Sequence, residues 1–334
     1  MHASGYQGPS LFGATPRQRH TPIARLNHPG VRDLAWTLIS PALFQPGTTP
    51  SPLNPSAAAL DAWLWRLQQQ PAPLELALAQ QRSHRLGVYF ETLIDFFLRH
   101  FLALEECHYG LPVRAAGHTY GEYDFLLRPR GESALLHLEL SLKFYLGIDD
   151  RHGQRHWLGL NRNDVLQHKY NKLVDQQLNL SQHPVARNQL KALGSQVGPK
   201  VGLIKGRLFY PLSEFAPEDG HKQQLKSPSG INRQHLRGWW QPISAWQELT
   251  HTETGTRLVP LQRRQWMAVL HQDEAQQLAS QTDIEGFRNQ LQLAQQPLMC
   301  ARLQLGKQGW RERDRGVLVP DPWLASVFET FDQT

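Results

Sequence analysis

The fold is decided by one stretch, Leu135-Leu136-His137-Leu138-Glu139-Leu140-Ser141-Leu142-Lys143-Phe144-Tyr145-Leu146. Successive side chains of a β-strand point to opposite faces of the sheet. One face of this strand therefore carries only leucines and a phenylalanine. After Leu135, the other face carries side chains that can donate, accept or transfer a proton, namely His137, Glu139, Ser141, Lys143 and Tyr145.

A second alternating stretch, residues 119–127, lies just before the first and carries Asp124 on one side. The intervening residues 128–133 contain the proline and glycine expected of a hairpin connection. In an antiparallel pair, the numbers of opposed residues have a constant sum. A turn centred next to Gly131 therefore sets Asp124 opposite Glu139. A slip of one residue would move Asp124 to the other face, so the prediction assumes this register.

In this register two carboxylates meet Lys143 on one polar patch beside a leucine-packed core. Paired carboxylates are ligands of hard cations. A lysine next to them can orient or deprotonate a water. The solvated outer face of an antiparallel sheet alternates in the same way, so the pattern alone leaves both interpretations open.

Composition limits the class of protein. The chain has 334 residues, of which 40% are hydrophobic and 19% charged, and this favours a substantial core over wholesale disorder. Its net charge of +6 favours a polyanionic partner. Two cysteines exclude a disulfide framework and a Cys-rich zinc site. No apolar run reaches membrane-span length and residues 1–30 lack a signal-peptide core, so we expect a cytoplasmic protein without membrane contact.

The sequence predicts three regions. Residues 1–30 are rich in Gly, Pro, Ser and Thr and contain no acidic residue, which indicates a flexible basic arm. Residues 31–215 contain helix, strand, strand, helix and strand patterns in that order, with residues 111–116 as a possible first strand, typical of an α/β core built on a hairpin. Residues 216–334 are interpreted as a mixed α/β extension packed on that core.

A long amphipathic helix is expected over about residues 83–103. Glu91 falls near the margin of its apolar stripe, one turn above Gly87. A glycine there leaves room beside a carboxylate, which makes Glu91 a candidate for the same polar patch. The alternative is a boundary glutamate on a solvated flank.

Two further patterns carry polar or positive groups. A helix expected over about residues 163–180 has one polar stripe, formed by Lys169, Lys172 and Gln176. A hairpin expected over about residues 298–319 has a row of arginines on one face of its second strand, formed by Arg311, Arg313 and Arg315. Such rows also occur on ordinary solvated faces. The helical stripe indicates a functional role only if it faces the polar patch.

Several stretches resemble the bacterial family known as domain of unknown function 1853. The resemblance is carried by residues 31–36, 87–91, 121–126, 137–146, Asn161, Asp164, 176–178 and 317–323. The order of Glu91 on a helix, then Asp124, then Glu139 and Lys143 on consecutive strands also resembles the PD-(D/E)XK nuclease superfamily.

This resemblance implies a restriction-endonuclease-like αβββαβ core, with additional helices and a C-terminal β-rich extension. It implies that Asp124 and Glu139 bind Mg²⁺ or Mn²⁺, assisted by Glu91. It also implies that the protein hydrolyses phosphodiester bonds of DNA, with RNA as the alternative substrate. Lys143 would hold the water and neutralise charge. Contacts to nucleic acid would come from Lys169, Lys172, Gln176, Arg311, Arg313 and Arg315.

One departure from the superfamily pattern leaves alternatives open. The superfamily places its lysine two residues after the glutamate, where this chain has Ser141. Lys143 lies about 7 Å further along the same face, and Lys169 or Lys172 could substitute for it. A nucleic-acid binder without catalysis remains possible. So does a structural or partner-binding protein that uses the Trp-rich C-terminal part.

Overall fold

Helices and strands of a mixed α/β fold follow one another in the computed structural model, which describes residues 23–44, 55–215, 230–245 and 255–332. The helices are α1 (Pro29–Ile39), α2 (Ala57–Gln69), α3 (Ala72–Ala79), α4 (Leu86–His100), α5 (Leu166–Asn171), α6 (Pro184–Ala192), α7 (Gln272–Gln281), α8 (Ile284–Leu293) and α9 (Asp321–Asp332). The strands are β1 (Leu104–Ala115), β2 (His118–Pro129), β3 (Leu135–Asp149), β4 (Arg155–Gly159), β5 (Val197–Pro211), β6 (Leu236–Pro242), β7 (Thr256–Pro260), β8 (Leu298–Gly306) and β9 (Gly309–Val319).

The chain divides into two compact units. The first unit comprises Met1–Leu142, Lys169–Lys205 and Asn232–Gln234, and the second comprises Lys143–His168, Gly206–Ile231 and His235–Thr334. The sequence predicts a domain boundary between residues 215 and 216, and this boundary stays a prediction. The observed division falls within the long strands β3 and β5, where alternation continues and no linker composition marks a change of unit.

The first unit is built on the predicted hairpin. Strands β1 and β2 pair antiparallel and are joined through Ala116 and Gly117, both at positive φ, as a two-residue hairpin turn requires. Strands β2 and β3 pair antiparallel through Phe125↔Leu138, Leu126↔His137 and Leu127↔Leu136. The residue numbers of each pair have the same sum as those of Asp124 and Glu139, so the predicted register is confirmed.

Helix α4 buries its apolar stripe in the first unit. The buried side chains are Tyr89, Phe90, Leu93, Ile94, Phe96, Phe97 and Leu98. The helix is a little shorter at each end than the sequence indicated. The predicted helix over residues 163–180 is not uniform, because α5 continues as a π-helix (Lys172–Gln176) and then as a 3₁₀-helix (Gln177–Gln182). Such changes of helical type rotate the side chains that follow relative to a regular α-helix.

The second unit contains the remaining strand pairs. Strand β4 pairs antiparallel with the end of β3. Strands β5, β6 and β9 run parallel, and β9, β8 and β7 follow one another antiparallel. The predicted C-terminal hairpin is therefore confirmed as β8 and β9.

The predicted row of three arginines on β9 is wrong for Arg315. A β-bulge separates the pairs Arg302↔Asp314 and Leu303↔Glu312, and it interrupts the alternation along β9. The Arg315 side chain lies in the core, with the residue 1% exposed, and its guanidinium donates to Glu312 and to the carbonyl of Gln265. It cannot reach a nucleic acid from this position.

The structure does not describe most of the predicted basic arm. Residues 1–22 of that arm lie outside the described residues. Within the part of the chain that the structure describes, no helix combines the length and the hydrophobicity needed to cross a membrane.

Packing around Trp239 yields a stability prediction. A Cβ atom added at Gly316 would lie 2.2 Å from the Trp239 ring, whereas one added at Gly306 would meet nothing closer than 3.8 Å. We expect Gly316→Ala to lower the free energy of unfolding by about 1–3 kcal/mol through overpacking. Gly306→Ala is the matched control and should leave stability unchanged or slightly higher. Urea denaturation of both variants checks this, and equal stabilities would contradict it.

Candidate active site

Asp124 and Glu139 each bond the backbone of the opposite strand in the first unit. The backbone N–H of Asp124 donates to Glu139 Oε1 at 3.3 Å, and the backbone N–H of Leu140 donates to Asp124 Oδ2 at 2.8 Å. The ladder pairs of β2 and β3 run from Leu127 to Phe125 on the β2 side. The two carboxylates therefore take over the connection between the strands just where the ladder ends.

Glu139 is fully buried and is surrounded by hydrogen-bonding groups. Its Oε1 atom lies 2.7 Å from His137 Nε2, and its Oε2 atom accepts from Gln177 Nε2 at 2.6 Å. Lys169 Nζ in turn donates to Gln177 Oε1 at 2.9 Å. A chain of contacts thus links Lys169 to a buried carboxylate through one amide, and the amide fixes the orientation of that carboxylate.

Asp124 carries a strongly perturbed carboxyl group. Burial and the negative charge of Glu139 raise the pKa of Asp124 to about 8, against the opposing effects of the Leu140 N–H and of Lys169. The nearby positive charge therefore does not fully compensate the pair when both carboxyls are ionised. A proton or a bound cation would relieve this repulsion.

Glu91 projects from α4 into the same electrostatic neighbourhood. Tyr109 Oη donates to Glu91 Oε2 at 2.9 Å, and the guanidinium of Arg82 lies over the Tyr109 ring, 4.8 Å from its centroid. Burial raises the pKa of Glu91, Tyr109 and Arg82 lower it, and the charges of Glu122 and Glu139 raise it further. The helix thus contributes a third carboxyl group to the patch, with Arg82 as a nearby cation.

The predicted lysine of the site has another partner. Lys143 forms an ion pair with Asp164, with 2.5 Å between Nζ and Oδ2, and Tyr145 Oη donates to Asp164 Oδ1 at 3.1 Å. The Lys143 ammonium thus pairs with Asp164, and both residues belong to the second unit.

Of the predicted polar stripe, Lys169 contacts the carboxylate site through Gln177, while Lys172 and Gln176 are exposed. Gln177 was not among the predicted site residues. A glutamine between leucines on the buried side of a helix was the signal for it. Arg82 and Tyr109 gave no such signal, because one is in a connecting segment and the other is in a strand whose alternation is weak.

The carboxylates of Asp124 and Glu139 form a candidate cation site. In the described ranges, no group of three or more His, Cys, Asp and Glu side chains is arranged to hold a metal ion. Mg²⁺ needs fewer protein ligands, since it keeps several waters and binds through one or two carboxylates. The donor chemistry and the uncompensated charge of Asp124 and Glu139 fit such an ion, and a supporting role of Glu91 stays a prediction.

Comparison with known proteins gives one match. A family model described as Domain of unknown function (DUF1853) matches residues 32–319. No curated protein and no solved structure matches the chain. The match includes the residues of the carboxylate site.

The raised pKa of Asp124 predicts a pH-dependent stability. Its folded-state pKa is about 8, and the unfolded value is about 4. Between these pH values the folded protein keeps a proton that the unfolded chain releases, so the free energy of unfolding falls as pH rises from about 4 to about 8. Asp124→Asn removes the buried charge and should raise the free energy of unfolding at pH 9 by about 1–3 kcal/mol, with little change at low pH.

Urea denaturation across this pH range measures the effect. Asp95→Asn is the control, because Asp95 forms an ordinary i,i+4 ion pair with Arg99 and its loss should change the free energy of unfolding by less than about 1 kcal/mol. An Asp124→Asn protein less stable than the parent at pH 9 would contradict the assignment.

Proposed function

This chain belongs to the DUF1853 family, and we propose that it is a metal-dependent phosphodiesterase acting on nucleic acid, with DNA as the favoured substrate. The observation that carries the proposal is the interlocked pair of Asp124 and Glu139, one half-buried and one fully buried residue on adjacent strands whose carboxyl charges are not fully compensated. A structural ion pair would bring a cation to each carboxylate, whereas here two acids are brought together. Perturbed carboxyl pairs of this kind are typical of functional sites.

Each residue of the site has a role in this proposal. Asp124 and Glu139 hold Mg²⁺ or Mn²⁺, and Gln177 and His137 orient Glu139 for that purpose. When bound, the ion supplies an activated water and stabilises charge on the phosphodiester oxygens. Glu91 assists through its carboxyl group.

We assign the role of the superfamily lysine to Lys169 rather than to Lys143. Two observations support this choice. Lys169 contacts the amide that holds Glu139, and its charge acts on Asp124. Lys143 is already engaged with Asp164. The Lys169 ammonium would position a water or a phosphate oxygen and offset the charge that develops there.

The order of elements also supports the proposal. Helix α4, strands β1, β2 and β3, the helices α5 and α6, and strand β5 follow the αβββαβ order expected of a restriction-endonuclease-like core, with β4 inserted after β3. The net charge of +6 favours a polyanionic substrate. A reducing cytoplasm is the compartment we propose, in keeping with the free thiols of Cys107 and Cys300.

A nucleic-acid binder without catalysis is the second candidate. It is favoured by Ser141 in the usual lysine position and by the saturation of Glu139, whose two oxygens already meet His137, Gln177 and the Asp124 N–H. In that case the pair would be retained for fold and binding.

Cation binding tests the first part of the proposal. Calorimetric titration with Mg²⁺ and Mn²⁺ should show binding to the parent protein. We expect Asp124→Asn and Glu139→Gln to abolish it, because each removes a ligand charge, and Glu91→Gln to weaken it. Glu75→Gln, a change in the same unit near His28, is the control and should bind as the parent does. Equal binding by all variants would refute the site.

Substitution of the lysines separates the two assignments. With Mg²⁺ and duplex DNA, Lys169→Met should reduce the cleavage rate by about 10²-fold, as loss of a charge-stabilising donor does. Lys143→Met and the exposed Lys172→Met should cleave within a few-fold of the parent, with folding checked by circular dichroism. Loss of activity in Lys143→Met alone would return the role to Lys143. A parent protein inactive on DNA and RNA with either ion would favour the binder.

A further inference from the structure

An open groove of about 660 Å³ lies in the first unit, between the connection from β2 to β3 and helix α6. Its charged lining consists of cations, namely Arg187, Lys191 and Lys200. Three serines also line it, Ser133, Ser181 and Ser195. Its lining contains neither a carboxylate nor an aromatic ring.

The cations of the groove are available for a ligand. Arg187 and Lys191 lie on the exposed side of α6, and neither contacts an acidic side chain in the described part of the chain. Lys200 Nζ donates to the neutral Asn179 Oδ1 at 3.5 Å. The sequence from Asp175 to Glu214 contains no acidic residue between these two. This acid-free stretch is a signal in the sequence that the motifs described above do not include.

The walls of the groove are held in place. Arg128 donates to the Ser133 carbonyl at 2.6 Å and to Ser195 Oγ, so it connects both sides of the groove. Its own charge is balanced by Glu106, which accepts from Arg128 Nε at 2.9 Å. The floor contains Leu190, a member of the buried cluster of the first unit. The groove is therefore formed before a ligand arrives.

The 3₁₀-helix Gln177–Gln182 connects this groove to the carboxylate site. Its first residue bonds Glu139, while Ser181 and Gln182 line the groove. A 3₁₀-helix rises about 2 Å per residue, so about 10 Å separate the two ends. That distance corresponds to about three nucleotides along one strand of a duplex.

We propose that the groove binds the phosphate backbone of double-stranded nucleic acid, next to the carboxylate site. Its position relative to a cleaved bond rests on the proposed function, but the binding itself requires no catalysis. Cations and hydroxyl groups are the donors that contact phosphate oxygens. Proteins that prefer single strands stack the bases on aromatic rings. The lining contains none, and this favours a duplex read through its backbone without regard to sequence.

Fluorescence anisotropy with a labelled mixed-sequence duplex, in EDTA and over a range of salt, tests the proposal. The variant carries Arg187→Gln, Lys191→Gln and Lys200→Gln together. We expect its affinity to fall by about tenfold or more. The slope of log affinity against log salt should lose about 0.9 for each phosphate contact, hence roughly 2–3 in total.

A charge-matched control separates the groove from net charge. It carries Arg25→Gln, Arg66→Gln and Arg114→Gln, three changes at exposed positions of the first unit, and should keep the salt slope of the parent. Equal losses in both triple variants would overturn the proposal. Displacement of the duplex by inorganic phosphate, at concentrations similar to that of the duplex, would overturn the assignment to a duplex. Tighter binding of the single strand than of the duplex would overturn it as well.

The outcome is distinguishable from that of the proposed function. The binding experiment contains EDTA, so its result does not depend on a metal ion at Asp124 and Glu139, whereas cleavage in the proposed function requires one. Groove-dependent binding by a protein that cleaves nothing would support this inference and refute the phosphodiesterase. Cleavage by the parent together with unchanged binding by the groove variant would refute this inference alone.

Discussion

The reciprocal bonds between Asp124 and Glu139 and the opposing strand backbones are the constraint on which the first unit depends. A buried carboxylate is costly unless hydrogen bonds satisfy it, and the surroundings of Glu139 answer that requirement. The Asp124 N–H, His137 and Gln177 all point to its two oxygens. This requires the segment after α5 to approach β3 closely, so the carboxylate pair organises elements far apart in the sequence.

The same arrangement leaves one charge unsatisfied. Glu139 has several donors, but Asp124 accepts from Leu140 N–H and has a pKa raised to about 8. Stability alone would favour a neutral side chain at that position. Retaining an acid there is the kind of local cost that proteins carry at functional sites. The proposed cation would remove this cost in stability when it binds. For this reason the site is interpreted as functional rather than purely structural.

Positive charge is distributed around this acidic site in a way that suits a phosphate-bearing ligand. Lys169 reaches it through Gln177, and Arg82 lies beside Tyr109 and Glu91. The groove at α6 adds cations without acids about 10 Å away along the 3₁₀-helix. An acidic centre repels a phosphate backbone by itself, so flanking cations are a physical requirement for any nucleic-acid chemistry there.

The sequence by itself determined the strands β2 and β3, their register, the buried stripe of α4 and the pairing of Asp124 with Glu139. Alternation and turn composition are local properties, and in a hairpin they suffice to predict which side chains share a face. Only the tertiary structure decided that Gln177 joins Lys169 to Glu139, and that Arg315 is buried. The reason is that a π-helical turn and a β-bulge each rotate the following side chains to a new face, and both irregularities depend on packing against distant elements.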